Sequence, residues 1–215
     1  MEIQYLGLSG FIINTKKVKI VIDPLSKETG AHVEQLEADI VCVTRPTSPY
    51  FDVKSVKSHY LVNAPGEYEF GGVMIFGYAA PNGDEINILY EIHGDGVSLI
   101  HLGGIPPKPK NGMFTDLSSP DVLIVPVGNM FTTDSKEAVN IVTSINPLYV
   151  IPCMYSVKGL ISPLKEGLKE LGTFLESMNA KEAKPISKMK ILEKQIKRNE
   201  EKSEVKTVVL SPMFF

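Results

Sequence analysis

Four histidines (His32, His59, His93 and His101) and two cysteines (Cys42 and Cys153) are the side chains best suited to metal or thiol chemistry. Hydrolytic metal sites gather several imidazoles and carboxylates around a water whose pKa the ion lowers to about 7. No two of these histidines stand at ligand-like spacing, so His32, His59 and His93 read as structural and His101 as a packed strand histidine. A cysteine nucleophile needs a basic partner, and His101 is the one conceivable partner for Cys42 or Cys153. Both cysteines lie in apolar runs and read instead as small buried hydrophobes. Ser9 stands in Gly7-Leu8-Ser9-Gly10. That is not the Gly-x-Ser-x-Gly elbow of a strand-to-helix turn, because this segment joins two strands. Neither a phosphate-binding Gly-x-x-x-x-Gly-Lys loop nor a dinucleotide-binding glycine pattern occurs. Asp23 closes an apolar strand and reads as an acid that hydrogen-bonds a neighbouring loop. Glu67 and Glu69 alternate along the chain and read as turn residues.

The elements that must position these groups are mostly strands. Ile3–Leu6, Phe11–Asn14, Lys19–Ile22, Ile40–Thr44, Leu61–Asn63, Val73–Tyr78, Ile86–Ile92 and Val97–Leu102 favour β-structure. Gly71-Gly72, Asn82-Gly83-Asp84 and Gly94-Asp95-Gly96 supply turns between them. Val122–Pro126 and Tyr149–Pro152 are nearly pure apolar runs, the pattern of strands covered on both faces. Asp134 followed by Glu137 resembles a capping box, and Ala138, Val142 and Ile145 recur at helical spacing behind it. Ser162-Pro163 predicts a second helix start, with Leu164, Leu168, Leu171, Leu175 and Met178 along one face. Strands first and helix–strand alternation later predict sheets covered by helices, an α/β arrangement.

Composition narrows the function. With 215 residues, 43% hydrophobic and 22% charged, the chain is long enough for a full core, and no linker or repeat divides it. One domain over 1–215 is expected. No apolar run approaches the ~20 residues of a membrane span, and no basic-then-apolar leader opens the sequence. Two cysteines argue against a disulfide scaffold and suit a reducing, cytoplasmic setting. A net charge of −3 argues against a nucleic-acid partner. Lys181–Lys206 carries nine Lys/Arg against five Asp/Glu, leaving −7 on the remainder. Diluted by Glu200, Glu201 and Glu204 and lacking stacking aromatics, it reads as a solvated strand-and-loop passage. The apolar end, Pro212-Met213-Phe214-Phe215, is expected to dock within the chain or against another subunit, since exposed it would be a liability.

Tyr5-Leu6-Gly7-Leu8-Ser9-Gly10-Phe11, followed by Ile20-Val21-Ile22-Asp23-Pro24, resembles the start of the metallo-β-lactamase superfamily. The similarity is greatest to its branch of small metal-dependent hydrolases that includes L-ascorbate-6-phosphate lactonase. It continues in register through Pro65-Gly66-Glu67-Tyr68-Glu69, His101-Leu102-Gly103-Gly104, Val125-Pro126-Val127-Gly128, Lys136-Glu137-Ala138 and Ile151-Pro152, and a strand near Thr207–Leu210 fits the usual ending. The resemblance implies a four-layer αββα sandwich with its site at one edge between two mixed sheets.

The branch typically reads Leu-Gly-His-Ser and Val-Thr-His-x-His-x-Asp-His, and this chain departs from both. Leu8 stands at the first histidine; Arg45, Thr47, Pro49 and Tyr50 stand at the next four polar positions. Gly104 and Met154 stand where a bridging Asp and a last ligand are expected. The resemblance therefore implies a scaffold without its metal and without another cofactor, serving as a non-catalytic ligand-binding or assembly module. The alternative is a metal-dependent hydrolase of small esters, lactones or phosphorylated sugars acting through an atypical site. Either way the resemblance places Arg45, Thr47, Tyr50, Ser9 and His101 around one pocket. A small anionic ligand is the expected partner, because a guanidinium grips carboxylate or phosphate bidentately. A homo-oligomer is compatible with the sequence. Arg45 itself is expected to pair with an internal carboxylate.

Overall fold

Alternation along the first strands decides the layering. In the computed structural model, which describes residues 1–32, 34–109, 113–114, 117, 119–196 and 204–215, β1 (Glu2–Gly7), β2 (Gly10–Asn14) and β3 (Lys19–Ile22) form antiparallel neighbours. Ile3, Tyr5, Phe11, Ile13, Ile20 and Ile22 turn to one face and join the main core. Leu6, Ile12 and Val21 turn to the other face and join a second cluster. The period of two is what a sheet buried on both sides requires.

A two-stranded parallel ribbon pairs β4 (Leu36–Glu37) with β6 (Val56–Lys57). Parallel β5 (Ile40–Cys42) and β7 (Tyr60–Val62) extend the first sheet beyond β3. The second sheet runs through β8 (Gly66–Phe70), β9 (Val73–Ala79), β10 (Ile88–Gly94), β11 (Val97–His101), β12 (Val122–Pro126) and β13 (Tyr149–Cys153). It is antiparallel from β8 to β11 and parallel from β11 to β13. Edge strands β14 (Met189–Lys190), on β1, and β15 (Lys206–Thr207), on β13, complete the two sheets.

Helix α1 (Ser135–Ile145) is capped as expected: the Asp134 side chain accepts from Glu137 N–H. It buries Ala138, Ile141, Val142 and Ile145 in the main core beyond the second sheet. The outer face of the first sheet is covered by Leu160, Leu164, Leu168 and Phe214. Helices thus lie outside two mixed sheets, the expected αββα order.

The second predicted helix is broken in two, α2 (Leu164–Gly167) and α3 (Gly172–Ser177). Leu168 is extended at ψ 135, and the next residue spends its backbone elsewhere: Lys169 N donates to Gly128 O and Lys169 O accepts from Ser156 N. Those bonds compete directly with the helix ladder. Glu67 and Glu69 lie in β8 rather than in a turn, because Gly66–Phe70 pairs with Val73–Gly77 around Gly71-Gly72. Within the basic passage Met189 and Ile191 are buried, and Glu204 is exposed as expected of a solvated segment. Glu200 and Glu201 lie outside the described residues.

The apolar end docks within the chain. Met213 N donates to Tyr5 O, Phe214 N to Leu6 O, and Phe214 O accepts from His32 N. Phe214 is buried while Met213 keeps 47% of its surface. Phe214→Ala should therefore cost about 3–5 kcal/mol in urea unfolding, and Met213→Ala less than about 0.5 kcal/mol. Equal, small effects would contradict intramolecular docking.

Candidate functional site

Three chain segments meet at one edge of the sandwich in conformations that large side chains avoid. Leu8 has φ 49, Asp23 φ 46 and Met154 φ 53, all in the left-handed region. Such a backbone costs about 1–3 kcal/mol per residue and persists where surroundings over-determine it. They do so here. Leu8 O accepts both Tyr5 Oη at 2.9 Å and Met154 N at 2.8 Å. Gly103, at φ 62, has a more direct reason to be glycine: a Cβ there would lie 2.7 Å from Thr44 Cβ.

Asp23 is the hub. Its Oδ1 accepts from Thr44 N and its Oδ2 from Thr44 Oγ1, each at 2.7 Å. The side chain is fully buried, and burial raises its pKa against the opposing pull of His101, Thr44 and Ser9. His101, also fully buried, accepts from Gly103 N at Nδ1. Nε2 therefore carries the proton and donates to Ser9 O at 3.0 Å. Burial holds His101 below the ordinary histidine value, with Asp23 opposing. The Ser9 hydroxyl is buried without a well-formed hydrogen bond of its own.

Arg45 follows Thr44 directly and only 4% of its surface is exposed. Its side chain lies across Gly104, where a Cβ would come within 2.9 Å of Nε. Cζ stands 5.5 Å from the Phe51 ring centroid and 5.8 Å from that of Phe131. The expected internal carboxylate is missing: among the described residues Arg45 has neither an ion pair nor a side-chain hydrogen bond, and Nε is buried without an acceptor. Asp23 and Glu85 act on it through space, without a hydrogen bond to it. Burial pulls the guanidinium below its ordinary pKa.

The structure thus joins Ser9 to His101 through a hydrogen bond, and Arg45 to Tyr50 through a shared neighbour, since the Tyr50 and Phe131 rings lie 6.0 Å apart. Thr47 is exposed on the turn that Ser48 N closes onto Arg45 O. Sequence reasoning missed Thr44, Asn82, Asn87, Phe51 and Phe131. Asn87 holds Gly104 N, while Asn82 ties Gly104 O to Phe131 O. The Asn82-Gly83-Asp84 turn was the available signal for one of them. Cys42 and Cys153 are buried, and burial pushes both thiols upward, away from thiolate. His93 pairs with Glu91, and His32 and His59 are exposed.

A family model described as a beta-lactamase superfamily domain matches residues 2–154. The chain belongs to the metallo-β-lactamase superfamily. It is 26% identical over 211 residues to a UPF0173 metal-dependent hydrolase of Thermococcus kodakarensis, covering 80% of this chain and 92% of that one. It is 25% identical over 231 residues to a similarly named protein of Pelotomaculum thermopropionicum, covering 87% and 97%. A crystal structure from Thermotoga maritima, described as a candidate zinc-dependent hydrolase of this superfamily, superposes with a TM-score of 0.79 at 26% identity over 97% of both chains.

These relatives overturn the expectation of a non-catalytic binding or assembly module: the shared name is metal-dependent hydrolase. Loss of the metal site is withdrawn with it, because replacements in a motif test only the motif's own positions. The residues gathered at this edge nevertheless do not fit a hydrolytic ion as they stand. Both oxygens of Asp23 and both nitrogens of His101 are engaged internally, and Arg45 brings a fixed positive charge. Among the described residues no three His, Cys, Asp or Glu side chains come together as a metal cluster. No helix among them is long and apolar enough to cross a membrane.

The His101 geometry predicts a pH dependence. A base whose folded pKa is depressed binds fewer protons folded than unfolded, so its contribution to stability is lost as pH falls below about 6.5. Asp23, raised by burial, acts with the opposite sign, losing stability as pH rises from its ordinary 3.8 through its folded value. Unfolding free energy should decline from about pH 7 to about pH 5 in the wild type and decline less in His101→Gln. Equal slopes in the two proteins would contradict a buried neutral His101.

Proposed function

We propose that this chain is a hydrolase of small esters, lactones or phosphorylated sugars, acting through an atypical site at the strand ends around Arg45. The observation that carries the reading is its kinship, over most of its length, with proteins named metal-dependent hydrolases. The strained edge formed by Leu8, Asp23 and Met154 supports the location.

The chain's own residues divide the work. Arg45 supplies the positive charge at the edge that holds a negatively charged ester, lactone or sugar phosphate there. Thr47 and Tyr50 contribute hydroxyls at its approach, on the turn that begins at Arg45. Ser9 and His101 act as positioning residues: the Nε2–H to carbonyl bond fixes the β1–β2 turn against the end of β11. Asp23 does the same for the Thr44-Arg45 segment. In this reading residues 1–215 work as one domain, with a small anionic molecule as ligand, and the thiols of Cys42 and Cys153 suit a cytoplasmic setting.

The test is turnover of purified protein on panels of aryl esters, lactones and sugar phosphates. It is run as purified, with a chelator, and with added zinc or manganese. Hydrolysis in at least one arm is expected, with kcat/KM reduced about 10- to 100-fold in Arg45→Gln, the size of a lost charge-assisted contact. Absence of hydrolysis in every arm, or turnover indifferent to Arg45→Gln, would overturn the assignment.

A further inference from the structure

Burying a guanidinium without a hydrogen-bonded counter-charge is costly, and contact with two aromatic faces offsets only part of that cost. Arg45 is in that position, with 4% of its surface exposed, Phe51 and Phe131 beside it and no acceptor on Nε. The slot that holds it is built rather than incidental. Its floor is Gly104, which no side chain could replace without striking Arg45. Its Phe131 wall is fixed by Asn82 Nδ2 donating to Phe131 O at 2.8 Å, and by the next residue, Thr132, whose Oγ1 donates to Ile105 O. Arg45 O is also spoken for, accepting from Ser48 N. The fold holds the cation in place and leaves its donors unspent.

We infer that Arg45 anchors an oxyanion, a phosphate or carboxylate group carried by the ligand, which supplies the acceptor its donors lack. Resting on the hydrolase reading, this names the substrate class: molecules that bear a negative group. Among the described residues Glu85 is the one exposed acid whose charge reaches Arg45. It competes weakly with the ligand and does not serve as the native partner.

The probes are inorganic phosphate, acetate, and glucose 6-phosphate against glucose, read by calorimetry and by thermal shift. Wild type should bind phosphate or acetate saturably and favour glucose 6-phosphate over glucose, with a melting temperature raised by a few degrees at saturation. A response to inorganic phosphate and glucose 6-phosphate but not acetate identifies phosphate as the group; a response to acetate alone identifies carboxylate. Arg45→Gln should weaken binding about 10- to 100-fold, and Arg45→Lys should restore only part of it because the planar fork is lost. Glu85→Gln, at an exposed position, should tighten binding. No response of the wild type to either anion overturns the inference. So does a Glu85→Gln protein that melts several degrees lower with anion affinity unchanged, since Glu85 would then be the internal partner. The two readings fail separately: anion binding without any hydrolysis sinks the hydrolase assignment alone. Hydrolysis of neutral esters by a protein that binds no anion sinks this inference alone.

Discussion

Asp23 and Thr44 share a pair of 2.7 Å hydrogen bonds, backbone and hydroxyl together, at the ends of two parallel strands. A buried carboxylate is tolerable only when its oxygens are satisfied, and this clamp satisfies both. Its effect reaches further than its own stability. By fixing Thr44 it sets where the chain leaves β5, and so delivers the next side chain, Arg45, onto Gly104. It also holds both oxygens of Asp23 on Thr44, so that this acid acts on Arg45 through space and not through a hydrogen bond. The local chemistry of the site follows from that allocation.

The surroundings enforce the arrangement from the other side. Gly103 and Gly104 bring the end of β11 close enough that Thr44 and Arg45 fill the space a side chain would take. His101 locks the β1–β2 turn through the Ser9 carbonyl, and Leu8 O gathers Tyr5 and Met154. Five separate segments, the Asp23 strand end among them, are thereby held against each other, with left-handed backbone at Leu8, Asp23 and Met154. Rigid support of this kind is what a binding residue needs if its charge is to be presented rather than quenched.

The sandwich was legible because its signals are periodic and local. Alternation in Ile3–Leu6 and Phe11–Asn14, the apolar run Val122–Pro126 and the cap at Asp134 each specify an element without reference to distant residues. The break between α2 and α3 was not legible, since it depends on Lys169 bonding Gly128 and Ser156 across the fold. The membership of this edge was readable in part. Arg45 and His101 stand out by type and by motif position, whereas Phe51, Phe131 and Asn82 are unremarkable in sequence and matter only through tertiary contact. The function was misread for a related reason: mismatched motif positions say nothing about chemistry supported by residues outside them. The overall match to hydrolases carries information that those positions lack.

The central claim is that the Arg45 guanidinium is held without an internal partner so that a ligand oxyanion can complete it. The most direct measurement is the 15N–1H resonance of Arg45 Nε, assigned by its absence in Arg45→Lys and followed as inorganic phosphate is added. The account predicts a saturable shift of that resonance as the anion engages the guanidinium. A resonance unmoved by phosphate at saturating concentration would contradict the account, because it would show that no ligand oxyanion reaches Arg45.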